Sequence, residues 1–262
     1  MTQDNIFLNY LERVLRSNIY LFLISRFIIG KYFSKFIYDS DFKIIKILEK
    51  KNFFNKNKII LDIGANDGMS YNIIRKFTKK AKIISFEPNI YNFRNLKKIE
   101  KKDKFFKCKN IALSNLNQKK FFYTPYFKKY AITQMAGISK SGVKKRLKSS
   151  LFIKEIFKII FLKKEIMRTK KLDDYEYKPS FIKIDIEGHE LECIKGTIET
   201  IKSNPILMIE YDKKICDKIN NILKKYKYNA FIYNKFEKKI ERFNIQKVFN
   251  IFFIHTKYLR YI

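Results

Sequence analysis

Ile59-Ile-Leu-Asp-Ile-Gly-Ala-Asn-Asp-Gly68, followed by Lys82-Ile-Ile-Ser-Phe-Glu-Pro88, decides the fold of this 262-residue chain. An apolar run ends at a turn with two glycines, a helix-like stretch follows, and a second apolar run ends on an acid. That is strand, turn, helix, strand, the opening unit of a parallel α/β sheet. The chain has only seven glycines, so Gly64 and Gly68 at the turn carry information. Glu87 follows Asp62 by about 25 positions, near the ~20-residue spacing at which an acid after the second strand reaches a ribose.

The alternation continues outward from this unit. Strands are expected at 59–63, 82–87, within 104–113, and at 119–126. Helices are expected near 69–79 and 89–100, with Pro88 at the first helical position of the second. After a break, strands at Phe181–Ile186 and Pro205–Tyr211 alternate with helices at 189–202 and 213–226. Tyr228–Tyr233 and Asn250–His255 read as a closing hairpin. The expected architecture is a Rossmann-like, doubly wound, mostly parallel seven-stranded sheet with N-terminal helices and a helical insertion.

Residues 1–52 read as an N-terminal helical extension, with helix over 6–37 and a short amphipathic helix over 41–50. Residues 53–262 read as the catalytic domain. Arg26, Lys31 and Lys35 interrupt the apolar residues of the extension. No uninterrupted run reaches the ~18–20 residues a spanning helix needs. The extension therefore reads as packed helices or as a basic segment on a membrane surface. Within the domain, 127–171 is a basic insertion, a candidate lid or membrane-contacting element. It contains a loop-like stretch at 136–142 and an expected amphipathic helix over Leu151–Met167. Residues 140–171 hold twelve Lys/Arg against Glu155 and Glu165.

The formal charge is +32 and the hydrophobic content 46%. The second figure suits a globular core. The first is partly explained by abundant Lys, Ile, Phe, Tyr and Asn, residues with A/T-rich codons. Where it has a partner, an anionic membrane or glycan ranks before nucleic acid. Cys108, Cys193 and Cys216 are widely spaced, which points to reduced, buried thiols. His189 and His255 are too few for a histidine-rich metal site, and no resident metal is expected. No signal peptide is expected at Thr2-Gln-Asp-Asn5. The expected location is the cytoplasm, with peripheral attachment to the inner face of the membrane as an option.

Two constellations carry chemistry. The first is Asp62, Gly64, Ala65, Asn66, Gly68 and Glu87. A dinucleotide fingerprint needs a middle glycine where this chain has Asn66. The two-glycine turn and the acid-Pro after the second strand suit S-adenosylmethionine better. Glu87 would accept from both ribose hydroxyls, backbone near Gly64 would approach the methionine moiety, and Asp62 would support the turn or the ligand's ammonium. The second is Phe181-Ile-Lys-Ile-Asp-Ile-Glu-Gly-His-Glu190. Asp185, Glu187 and His189 sit at the end of a strand predicted beside the first, where open α/β sheets bind ligands. One of them could take a proton from a hydroxyl. Glu210 ends a neighbouring strand on the same edge.

Together these segments resemble the FkbM family of class I, S-adenosylmethionine-dependent methyltransferases. The carrying motifs are Leu-Asp-Ile-Gly-Ala-Asn-Asp-Gly (61–68), Ser-Phe-Glu-Pro (85–88), Asn-Ile-Ala-Leu-Ser (110–114), Leu-Asp-Asp-Tyr (172–175), Ile-Lys-Ile-Asp-Ile-Glu-Gly-His-Glu (182–190) with Lys195-Gly196, and Met-Ile-Glu-Tyr (208–211). The resemblance implies O-methylation, often of a sugar hydroxyl, and adds Asn110 and Ala112 to the cofactor-binding set. The expected partner is thus a glycan or its lipid- or nucleotide-linked precursor, with no specific nucleic acid. A nicotinamide-dependent sugar oxidoreductase and an inactive, membrane-associated glycan-binding protein are the competing readings. A base N-methyltransferase is disfavoured, because no Asn/Asp-Pro-Pro-aromatic motif follows the strand ending at Asp185.

Overall fold

The computed structural model describes residues 40–54, 57–79, 81–128, 130–149, 160–244 and 248–261. The helix expected over 6–37 and residues 151–159 of the helix expected over Leu151–Met167 lie outside them. The chain divides into two compact units, Tyr38–Lys120 with Ile166–Ile262, and Phe121–Glu165 with Met1–Ile37.

The larger unit is built on an eight-stranded sheet. Its strands are β1 (Ile59–Ile63), β2 (Lys82–Phe86), β3 (Phe106–Lys109), β8 (Phe181–Ile184), β9 (Ile206–Glu210), β10 (Tyr228–Asn234), β11 (Lys239–Arg242) and β12 (Asn250–His255). The strands between β3 and β8 lie outside this sheet: β4 (Ala112–Leu113), β5 (Gln118–Phe127), β6 (Tyr130–Ala131) and β7 (Ile160–Lys170). The spatial order is β11-β10-β12-β9-β8-β1-β2-β3. The five strands from β9 to β3 are parallel, and β12, β10 and β11 are antiparallel. Chain order reverses between β1 and β8, so the switch point lies at their C-terminal ends.

Both faces of each central strand are apolar, as a sheet covered by helices requires. Ile60, Ile83, Phe106, Phe181, Ile206 and Phe252 face one cluster with Ile44, Ile45 and Leu48 of α1 (Lys43–Lys50), Ile73 and Ile74 of α2 (Met69–Phe77), and Leu96 of α3 (Ile90–Glu100). Leu61, Ile84, Ile182, Ile184, Leu207 and Phe253 face the other. Helix α4 (Lys140–Ser149) belongs to the smaller unit, so the covering helices here are later ones. They are α5 (Glu190–Lys195), α6 (Ile198–Ile201) and α7 (Lys213–Lys224). This is the doubly wound, Rossmann-like sheet expected from the sequence.

Several local expectations are corrected. The sheet has eight strands because Lys239-Ile-Glu-Arg242, charged enough to read as loop, forms an edge strand; edge strands favour such residues. The hairpin partner of β10 is therefore β11, and β12 inserts between β10 and β9. The strand expected within 104–113 splits, because the chain leaves the sheet after Lys109. Ala112 and Leu113 then pair with Thr169 and Lys170 of β7. Pro88 precedes the N-cap of α3 rather than opening the helix; Asn89 is the cap and its side chain accepts from the Tyr91 N–H at 3.0 Å. The helix expected over 189–202 breaks at Gly196, where a Cβ would stand 2.0 Å from the Ser114 carbonyl oxygen. Cys193 is buried, whereas Cys108 and Cys216 are only partly so, and all three are free.

Of the stretch expected to be helical over Leu151–Met167, the described part, from Ile160 onward, is strand. Its β-branched and aromatic residues and alternating exposure suit a pleated surface. A helix lies earlier, at Lys140–Ser149 in the smaller unit. There Val143 and Leu147, one turn apart, join Phe127 and Ile132 in a small core.

Candidate functional site

The turn after β1 takes its shape from three left-handed residues, Gly64 (φ 79°), Asn66 (φ 49°) and Gly68 (φ 92°). The backbone donors of Gly64, Ala65, Asn66 and Gly68 are already used. The Gly64 and Ala65 N–H groups both donate to the Phe86 carbonyl at 3.0 and 3.2 Å, and Gly68 donates to Ala65. Asp67 accepts from Met69 N–H at the start of α2. A pyrophosphate needs free N–H groups at this turn, and the turn instead offers carbonyls and an acid. Gly64 also has a reason of its own: a Cβ there would lie 1.8 Å from the Asp185 carbonyl oxygen at the end of β8. Gly68 is pressed against Ile99 and Leu96 of α3, so its Cβ would meet Ile99 at 2.7 Å.

Glu87, at the end of β2, is only 5% exposed. One carboxylate oxygen accepts from Asn66 N–H and the other from Asn89 N–H, each at 2.8 Å. Each oxygen keeps a second lone pair. Burial pushes this carboxyl up to about 7, although the Asn89 and Asn66 N–H groups, the Asn92 amide and the Lys183 charge all work to lower it. Asn92 in turn donates to the Asn66 side chain at 2.7 Å. Asn110 donates to the Glu87 and Pro88 carbonyls at 2.9 and 2.8 Å, which fixes the chain where it leaves β3.

Asp62 is fully buried. Its carboxylate accepts from Ser70 at 2.6 Å and Ser85 at 3.3 Å and pairs with Lys183 at 3.3 Å. It supports the turn from behind. Lys183 itself pairs onward with Asp185 at 3.4 Å and donates to the Gly64 carbonyl at 3.2 Å.

Residues 62–232 match the Methyltransferase FkbM domain. The chain belongs to the FkbM methyltransferase family. A solved FkbM methyltransferase from Methylobacillus flagellatus is similar over 77% of this chain at 17% identity and a TM-score of 0.49. The chain spans 44% of that protein's length. A SAM-dependent O-methyltransferase from Thermotoga maritima aligns with 84% of this chain and 66% of its own, at 10% identity and a TM-score of 0.42. A precorrin-6y C5,15-methyltransferase from Geobacter metallireducens aligns with 80% and 83%, at 13% identity and 0.41. No curated protein matches the chain.

The FkbM match takes in the second acidic group. β8 and β9 run side by side, with Ile184 opposite Ile209, so Asp185 and Glu210 emerge from neighbouring strand ends. Glu187 (φ 59°) and Gly188 (φ 92°) are consecutive left-handed residues in the loop that follows. A non-glycine residue held there carries a backbone cost. Glu190 closes the loop: one carboxylate oxygen accepts from Ile186 and Gly188 N–H at 3.1 and 3.0 Å. Burial, then the charges of Asp185, Glu187 and Glu190, push Glu210 up to about 8, so it holds a proton at neutral pH. His189 sits elsewhere on the loop. Its Nε2 bonds the Ser114 hydroxyl at 2.9 Å. Burial and the Lys120 charge pull it down to about 4, so the ring is neutral. Among the described residues no group of three or more His, Cys, Asp or Glu is placed to hold a metal ion, and no helix is long and apolar enough to cross a membrane.

The structure thus joins Asp62, Gly64, Asn66, Glu87 and Asn110 around the first turn and Asp185, Glu187 and Glu210 around the strand ends beside it. Ala65 is buried under the turn, and Ala112 lies in β4 outside the main sheet. Lys183, Ser70, Asn89 and Asn92 escape a reading by motif. Lys183 leaves one signal: a charge inside an apolar strand, matched by an opposite charge at the same offset in the neighbouring one.

Glu210 yields a pH prediction. Its folded-state carboxyl lies above the ordinary value of 4.5, so between pH 4.5 and 8 the folded state holds more protons than the unfolded one. Stability from this group is present at low pH and is lost as pH rises through 8. Glu210→Gln should therefore melt higher than wild type at pH 8.5, at roughly 2–4 °C per kcal/mol for a chain of this size. The gap should close by pH 5. Equal melting at pH 8.5 would place Glu210 in a solvated setting instead.

Proposed function

We propose that this chain transfers the methyl group of S-adenosylmethionine to a hydroxyl, on a sugar of a glycan or of its lipid- or nucleotide-linked precursor. The carrying observation is the turn at Gly64–Gly68, where the Gly64, Ala65, Asn66 and Gly68 N–H groups are consumed while Glu87 presents a carboxylate with acceptor capacity to spare. That donor-poor, acceptor-rich cradle favours a cationic nucleoside with free ribose hydroxyls over a pyrophosphate. When bound, S-adenosylmethionine supplies an electrophilic methyl on its sulfonium.

The residues divide the remaining work. Glu87 accepts from the ribose hydroxyls, and Asn110 fixes the segment beside it. The Gly64 turn, packed against the end of β8, would hold the methionine arm. Asp185 is 41% exposed at its side chain and spends Oδ2 on Lys183, which leaves Oδ1 for the acceptor hydroxyl. Asp185 would hold the acceptor hydroxyl and take its proton on transfer of the methyl group, with most of the rate coming from positioning. Carboxylates at this strand end, in place of an Asn/Asp-Pro-Pro-aromatic loop, favour oxygen over a base nitrogen as acceptor. The basic surface and the N-terminal segment are proposed to bring the enzyme to a membrane-associated substrate in the cytoplasm.

Calorimetry of the full chain with S-adenosylhomocysteine at pH 8 tests the reading. Saturable binding is expected, with no heat from nicotinamide dinucleotides. Absence of S-adenosylhomocysteine binding, or preference for the dinucleotide, would overturn it.

A further inference from the structure

We propose that Lys183 is the positioning residue of this site, a single buried ammonium that sets the cofactor turn and the acceptor-side acid in one geometry. The inference rests on the function proposed above. Lys183 lies inside β8, in register with Asp62 of β1. Both occupy the face on which Ile60 and Phe181 are apolar core. A lysine only 5% exposed has no reason to stand there unless its charge is used.

Its three partners define the use. The Gly64 carbonyl belongs to the turn, Asp62 braces that turn through Ser70 and Ser85, and Asp185 ends the strand at the switch point. The ammonium donates a hydrogen bond to the Gly64 carbonyl and makes ion pairs with the two carboxylates. Burial alone would lower the Lys183 pKa, but Asp185 and Asp62 more than offset this and hold it above its ordinary value. The ammonium therefore stays charged throughout the working range. Its position ties two strands that carry different halves of the reaction.

The same charge reaches further. It lowers the titration of Glu87 and of Glu210, the two site acids most raised by burial. Lys183 thus acts on Glu87 in two ways, through the turn that carries Asn66 and through its field. The other groups facing Glu87 are the Asn66 and Asn89 N–H groups and the Asn92 amide, which carry no net charge. Lys183 is the one formal charge acting on it among these. Removing that charge moves the titration of Glu87 upward, whereas merely loosening the fold would not.

The test is binding of S-adenosylhomocysteine to full-length wild type, Lys183→Met and Lys183→Arg from pH 6 to 9, with thermal melts alongside. Wild-type affinity should fall as pH drops through about 7, where Glu87 protonates. In Lys183→Met the affinity at pH 7 should drop at least tenfold, and the midpoint should move to higher pH. Lys183→Arg retains the charge but replaces a point donor with a planar fork. It should keep the wild-type midpoint and lose affinity at every pH. Unchanged midpoint and affinity in Lys183→Met would overturn the role. If that variant does not fold, Asp185→Asn carries the test. It frees Lys183 from one acid at the half-exposed end and should move the Glu87 midpoint to lower pH; an unmoved midpoint overturns the proposal. A wild type that binds no S-adenosylhomocysteine at any pH removes the methyltransferase reading itself, a distinct outcome from equal binding by wild type and variant.

Discussion

Gly64→Ala should destabilise the protein by on the order of 3–5 kcal/mol, the sum of a left-handed backbone penalty and forced overpacking. The backbone at Gly64 has φ 79°, and an added Cβ would lie 1.8 Å from the Asp185 carbonyl oxygen and 2.9 Å from the Ile186 side chain. Neither neighbour can give way cheaply. Asp185 N–H donates to the Ile63 carbonyl at 3.1 Å, so the residue whose carbonyl would clash is tied to the end of β1. Relief requires those strand ends to part, and they are the switch point around which the site is built. Gly188→Ala is the control. It has an equally left-handed φ of 92°, but nothing lies within 4 Å of its Cβ position. Only the backbone penalty of about 1 kcal/mol applies. Urea denaturation of the two variants separates the causes. Equal destabilisation would show that dihedral preference, not crowding at Asp185, fixes glycine at position 64.

The identity of position 64 shows what a sequence can reveal of such a site and what it cannot. Two glycines in a glycine-poor chain mark a special turn, and the strand-turn-helix-strand reading from Ile59 to Phe86 holds. Parallel strands covered on both faces are near-continuous apolar runs, and that property survives translation into sequence. The reason for glycine does not. Gly64 is squeezed by a residue more than a hundred positions later, through a register visible only once β1 and β8 pair. Lys183 is hidden for the same cause. Its charge stands within a motif, yet its role follows from facing Asp62 across the ladder. Where strands are half-solvated or at an edge, local cues mislead. Ile160–Lys170 has enough apolar and basic residues to pass for an amphipathic helix, and Lys239–Arg242 enough charge to pass for a loop. In both, neighbouring strands supply what the local composition lacks.

Glu87→Ala should weaken S-adenosylhomocysteine binding by about 100-fold or more at pH 8 while leaving folding stability nearly unchanged. The binding estimate follows from losing two ribose hydrogen bonds to a carboxylate, each worth about 1.5–3 kcal/mol. The stability estimate is a balance. Removing the carboxylate strands the Asn66 and Asn89 N–H groups, at roughly 1–3 kcal/mol each when buried. It also removes a buried charge whose carboxyl is raised from 4.5 to about 7. At about 1.36 kcal/mol per pKa unit, that relief is on the order of 3 kcal/mol above pH 7. The two nearly cancel at pH 8. Below pH 4.5 wild-type Glu87 is neutral in both states, the relief vanishes, and the variant should be the less stable of the two. Glu87→Gln separates the contributions further. It keeps one acceptor oxygen but turns an amide donor toward a backbone N–H, so binding should fall and stability should fall with it. Melting curves at pH 4 and pH 8, paired with calorimetry at pH 8, distinguish these outcomes. Affinity of Glu87→Ala within threefold of wild type would remove the ribose from Glu87 and leave it as a brace for the Asn66 turn.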